Sequence, residues 1–126
     1  MDVKKINDTV CHLTEIYNTC SPFELCEKMG INILFLDLPN TVEGFFVNSG
    51  DQEDKSYLSI LINNSVPKSE YERICAHELG HAILHSNINS EKCKDDNEIC
   101  LESLEAEAEV FSIILLQKNI KIKKGT

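Results

Sequence analysis

"CAHELGHAILH", Cys75 to His85, carries His77, Glu78 and His81 in the order H-E-x-x-H. Pro67 precedes it, and Ser69 with Glu72 has the spacing of a capping box, so the pattern predicts a helix running to about His85. Ile74, Cys75, Ala76, Leu79, Ala82, Ile83 and Leu84 surround that helix with small or apolar groups, which places it in the interior rather than on a solvated face. Imidazole and carboxylate groups on a buried helix need partners, and a metal ion would satisfy all of them. Gly80, a poor helix former, admits a second backbone close to the same spot.

Residues four apart on a helix lie about 40° apart around its axis and about 6 Å along it, so His77 and His81 can aim at one point. Glu78, about 100° round from His77, sits on the flank of that face, where a carboxylate reaches water on the metal without coordinating the metal. A catalytic zinc takes three protein ligands and keeps one position for water. His85 is a poor third ligand: its Cα is about 12 Å along the axis from that of His77, roughly the full reach of two opposed imidazoles. No glycine bend of the H-E-x-x-H-x-x-G-x-x-H kind intervenes. His85 is therefore expected in the core or behind a ligating histidine.

The third ligand is better sought in "LESLEAEAEVFSIILLQ", Leu101 to Gln117. At about 100° per residue, Leu104, Ala108, Phe111 and Leu115 form one apolar face, with Glu105 at its edge beside the small Ala108 and Ser112. Glu105 is the expected ligand. Glu109, one turn on, is placed to orient His77 or His81, a common arrangement for ligating histidines. Glu102 and Glu107 read as a solvated face.

The remaining chain supports one compact domain. At 126 residues it is long enough for one core. Val3, Ile6, Val10, Leu13 and Ile16 or Tyr17 recur at helical spacing, and Ser21-Pro22 with Gly30 brackets a short second helix over Phe23 to Met29. Ile31 to Leu36, "INILFL", reads as a buried strand. Glu43 to Asn48 and Tyr57 to Asn63 flank a polar hairpin connection with Gly50 at its bend, so the sheet is expected to be small and mainly antiparallel. Asn87 to Ile99 reads as a loop, Leu101 to Gln117 as the last helix.

A net charge of −9 excludes a broad basic surface for nucleic acid, so any link to DNA should be indirect. Lys118, Lys121, Lys123 and Lys124 read as a solvated chain end. Neither a secretory signal nor an apolar run of about 18 residues is visible, which points to a cytoplasmic protein away from membranes. Cys11, Cys20, Cys26, Cys75, Cys93 and Cys100 contain no C-x-x-C pair and read as reduced, small apolar residues.

"RICAHELGHAILH" followed by "LEAEAEVFSIILL" resembles the ImmA/IrrE-type zinc metallopeptidases, whose pattern is an H-E-x-G-H helix, often with a further histidine, and then E-x-x-A-N-x-F-A-x-x-L-L. The resemblance covers about Ile31 to Gln117. It implies that His77, His81 and Glu105 hold Zn2+ and that Glu78 is the catalytic base, in agreement with the helix geometry. Two departures stand out. Glu109 replaces the family's Asn, and an ionised carboxylate accepts but cannot donate a hydrogen bond; Ser112 and Gln117 replace Ala and Met.

The resemblance further implies a cytoplasmic peptidase of phage or mobile-element origin whose partner is a helix-turn-helix repressor that it cleaves; size and composition make a monomer the expectation. The expected architecture is an α+β zincin-like domain: N-terminal helices over 1–30, a catalytic core over 31–117 and a basic tail over 118–126. Tyr57 to Asn63 is the expected edge strand for an extended substrate, and His85, Tyr71 and Arg73 are candidates to stabilise the oxyanion. A different reading keeps the zinc but makes the protein a module that docks a repressor or antitoxin without cutting it. A third makes the metal purely structural.

Overall fold

The fold is that of a computed structural model, which describes residues 1–50, 58–85 and 97–125, with side chains in the last helix from 101 to 121. In chain order the elements are α1 (Val3–Tyr17), α2 (Pro22–Met29), β1 (Asn32–Leu36), β2 (Gly44–Asn48), β3 (Leu58–Asn63), a 3-10 turn (Lys68–Glu70), α3 (Tyr71–His85) and α4 (Asn97–Gly125). The class is α+β, as expected.

Local chemistry sets the helix ends. Asp2 caps α1 by accepting from the Lys5 backbone amide at 3.0 Å. The Ser21 hydroxyl accepts from the Glu24 amide at 3.4 Å at the head of α2, and Gly30 closes that helix at φ 77°. The capping box at α3 does not form. Ser69 lies inside the 3-10 turn that leads into the helix, and Glu72 instead accepts from Asn119 Nδ2 at 2.8 Å, tying the first turn of α3 to α4.

The strand order is β1-β3-β2. β2 runs antiparallel to β3, with Phe46 opposite Ile60; most of the expected hairpin connection, 51–57, lies outside the described residues. β1 runs parallel to β3, with Ile33 beside Ile60. The sheet is therefore evenly mixed rather than mainly antiparallel, and β3 is its centre, not its edge. Asn63 is the reason the crossing holds. This buried side chain at the end of β3 donates to the carbonyls of Leu38 at 3.2 Å, Pro39 at 3.2 Å and Val42 at 2.8 Å. Its carbonyl oxygen accepts from the Ser65 hydroxyl at 2.7 Å. The connection from β1 to β2 is thus pinned over the end of the central strand.

One face of the sheet packs on α3 through Ile60 and Ile62, which join Leu25, Leu79, Phe111 and Leu115 in the core. The edge position of β1 overturns its reading as a buried strand. Ile31, just before it, is buried, but Leu34, Phe35 and Leu36 remain 48%, 45% and 41% exposed. Cys26 and Cys75 meet inside the core with sulfurs 3.8 Å apart. The Cys26 contact and burial push the Cys75 thiol far above its ordinary range, so both behave as the apolar packing expected of them.

α4 begins at Asn97, within the stretch read as a loop, and most of that stretch, 87–96, lies outside the described residues. At its other end α4 continues to Gly125, so Lys118 and Lys121 stand on helical turns rather than in a free tail. Among the described residues no helix is long and apolar enough to cross a membrane.

Candidate metal centre

The site begins where α3 and α4 touch. A Cβ placed on Gly80 would lie 3.0 Å from the Ala108 carbonyl oxygen and 3.1 Å from the Ala108 Cα. Only a glycine opposite a small residue allows two helices this close. Their approach carries Glu105 to both histidines of the motif: its Oε2 lies 3.0 Å from His77 Nε2 and its Oε1 2.7 Å from His81 Nε2.

One donor atom from each of His77, His81 and Glu105 lies within 4.8 Å of the others, so the three form a group that could hold a metal ion. Two imidazoles and a carboxylate are a donor set for a divalent transition metal, and bonds of about 2.0–2.2 Å in tetrahedral geometry would put neighbouring donors about 3.3 Å apart. The two contacts to Glu105, at 2.7 and 3.0 Å, are shorter than that and no donor pair exceeds 4.8 Å, so the set lies within side-chain adjustment of it. The residues fit.

Burial lowers the proton affinity of His81 against the pull of Glu105, so its imidazole favours the neutral form that a metal binds. Glu105 feels burial too, which works to raise its pKa, but His81 and His77 outweigh it and hold the carboxylate below its ordinary value.

Glu78 shares the same cleft, about 580 Å³, with the connection from β1 to β2, the start of β2 and the facing residues of α3 and α4. Burial pushes its carboxyl from 4.5 up to about 7; His77 opposes that rise and Glu105 adds to it. Gly44 frames this carboxyl. A Cβ there would lie 2.5 Å from Ile74 Cγ2 and 3.3 Å from Glu78 Cγ, so only glycine lets β2 lie against α3 beside Glu78. A larger hollow of about 870 Å³ between α1, α2 and α4 contains none of the clustered histidines.

Glu109 lies where the helix periodicity puts it. Its Oε2 is 3.0 Å from His77 Nδ1. A histidine that ligates through Nε2 carries its proton on Nδ1 and needs an acceptor there, which a carboxylate supplies. A carboxylate at this position can accept from a protonated His77 Nδ1. His85 stands behind His81, Nδ1 to Nδ1 at 3.0 Å.

Glu107 departs from its solvated reading: its Oε1 lies 3.2 Å from His85 Nε2. Glu102 is exposed. Of the oxyanion candidates, Tyr71 donates to the Asn64 carbonyl at 3.3 Å and packs on Phe35, outside the cleft. Arg73 does line the cleft, held by Glu43 at 2.8 Å and Glu70 at 3.0 Å. The roles of Gly44, Asn63 and Glu107 have no periodic signal in the sequence; each comes from contacts between distant segments.

The sequence of this chain matches the family described as the IrrE N-terminal-like domain, a peptidase family, over residues 26–122. A protein of Bacillus phage phi105 described as uncharacterized immunity region protein 2 is 32% identical over 111 residues, 88% of this chain and 67% of its own length. Metallopeptidase ImmA of Bacillus subtilis is 28% identical over 113 residues, 90% of this chain and 63% of its own length. The chain thus spans about two thirds of the length of each relative. No solved structure matches it.

Proposed function

Because the chain belongs to the IrrE N-terminal-like domain family of peptidases, we propose that it is a zinc-dependent endopeptidase that cleaves a helix-turn-helix repressor in the cytoplasm and so relieves repression in a phage or mobile element. The observation that carries this reading is the convergence of His77, His81 and Glu105 donor atoms within 4.8 Å, with Glu78 in the same cleft. The printed names of the relatives, a metallopeptidase and a phage immunity region protein, support the reaction class and the setting.

His77, His81 and Glu105 would hold the zinc. When bound, zinc supplies Lewis acidity, polarising the scissile carbonyl and acidifying the attacking water. Glu78, whose carboxyl pKa is raised above its ordinary value by burial in the metal-free cleft, takes the proton from that water and delivers it to the leaving amine. Glu109 and His85 hold His77 and His81 in orientation from behind. With β3 central, β1 and β2 are the sheet's two edges among the described residues, and β2, whose first residues border the cleft, is the edge offered to an extended substrate.

The test is cleavage of a candidate helix-turn-helix repressor, sought among the genes neighbouring its own. Purified protein should cut it, stop when a chelator is added, and resume with zinc. Cleavage that persists in a thoroughly chelated sample would contradict the metal-dependent reading.

One observation favours a docking reading as well. On the sheet face turned away from Ile60 and Ile62, Leu34 and Phe45 flank Leu61 in register, and Leu34 and Phe45 stay exposed. An apolar row on a sheet is a surface that a protein partner could cover. It would serve a repressor that is held as well as one that is cut.

A further inference from the structure

His81 and His85 face each other through like atoms. Their Nδ1 atoms are 3.0 Å apart, and such a contact needs a proton on one nitrogen and a lone pair on the other. The two outer nitrogens decide which. On one side, His81 Nε2 points at Glu105 Oε1 across 2.7 Å, within the candidate ligand group. On the other, His85 Nε2 points at Glu107 Oε1 across 3.2 Å.

A carboxylate only accepts, so Glu107 demands the proton on His85 Nε2 and leaves His85 Nδ1 with a lone pair. A ligating His81 must offer the Nε2 lone pair and therefore carries its own proton on Nδ1. Once a metal takes the place of the hydrogen bond between His81 Nε2 and Glu105, both ends of the chain of contacts require the same arrangement.

From this juxtaposition of His81, His85 and Glu107, and resting on the metal site proposed above, we infer that Glu107 is a positioning residue: through His85 it fixes the His81 tautomer that presents Nε2 to the metal. The burial fits. The His85 side chain is 6% exposed and that of Glu107 29%, so this pair is shielded far more than the other α4 carboxylates, Glu105 at 63% and Glu109 at 50%. The two ligating histidines are thus each tied to an α4 carboxylate, His77 directly to Glu109 and His81 through an intervening imidazole. Glu107 touches neither the candidate ligand group nor a substrate, and its effect passes entirely through His85.

Two readouts other than peptidase activity test this. Zinc affinity at one mildly alkaline pH should fall about 10- to 100-fold in Glu107→Ala, the usual scale for partners behind a metal ligand, while Glu107→Gln, which keeps an accepting oxygen, should retain most of it. Long-range proton–nitrogen NMR of the zinc-loaded parent should show His85 protonated on Nε2 and His81 on Nδ1.

A zinc-binding parent with His85 protonated on Nδ1, or with His85 itself bound to zinc, overturns the inference whatever the variants do. So does a folded Glu107→Ala that binds zinc as the parent does. A parent that binds no zinc overturns the metal site and this inference together, which separates the two failures.

Discussion

Gly80 of α3 and Ala108 of α4 meet backbone to backbone, with a Cβ on Gly80 falling 3.0 Å from the Ala108 carbonyl oxygen. In an isolated helix, replacing glycine by alanine would gain about 1 kcal/mol. Here the added methyl meets backbone, so Gly80→Ala should instead cost about 1–3 kcal/mol, the range of overpacked cores. The helices that separate are those carrying the histidines and Glu105, so zinc affinity should drop with stability. Denaturant unfolding and zinc titration check both.

Glu105 is the α4 carboxylate within reach of both motif histidines. Glu105→Ala should weaken zinc binding by more than about 100-fold, beyond what residues behind the ligands contribute. Glu102→Ala, on the exposed face, should leave it unchanged. Equal affinities in the two variants would show that the wrong carboxylate has been assigned.

Glu78 should make the metal-free protein lose stability as pH rises. Its folded-state pKa of about 7 stands above the ordinary 4.5, so between those values the folded chain holds the proton that the unfolded chain releases. The contribution is present below about pH 4.5 and is lost by about pH 7, a difference of up to about 3 kcal/mol. Glu78→Gln removes this titration. Relative to the parent, the chelated variant should be more stable near pH 8 by up to that amount and not near pH 4.5. Urea unfolding at the two pH values measures it; equal gaps at both would contradict the buried carboxyl.

The inward stripe of α4 and the histidine pair of α3 were legible because helical periodicity is a local property, read from residues three and four apart. That is why Leu104, Ala108, Phe111 and Leu115 predicted the packed face and placed Glu105 at its edge. The burial of β1 was not legible: "INILFL" has the composition of a central strand, but exposure depends on which strand lies beside it, and β3 takes the centre. Glu107 failed for a related reason. Which α4 carboxylate meets which α3 histidine depends on how the two helices cross, and the period of either helix alone does not specify that. Glu109 was expected beside one of the two motif histidines and lies 3.0 Å from His77 Nδ1; which of the two it meets was set by the helix crossing rather than by the period.

Whether this chain cuts the proposed repressor or merely holds it turns on Glu78, the cleft residue assigned to proton transfer rather than to holding metal. The direct measurement is repressor cleavage by Glu78→Gln beside the parent, with zinc content determined on the same samples. An amide cannot take a proton from water, so the variant should stay folded and zinc-loaded yet lose about 10² to 10⁴ in rate, the usual scale for removing a general base. A zinc-loaded Glu78→Gln that cleaves the repressor at the parental rate, or that relieves repression in cells as fully as the parent does, would contradict the peptidase mechanism.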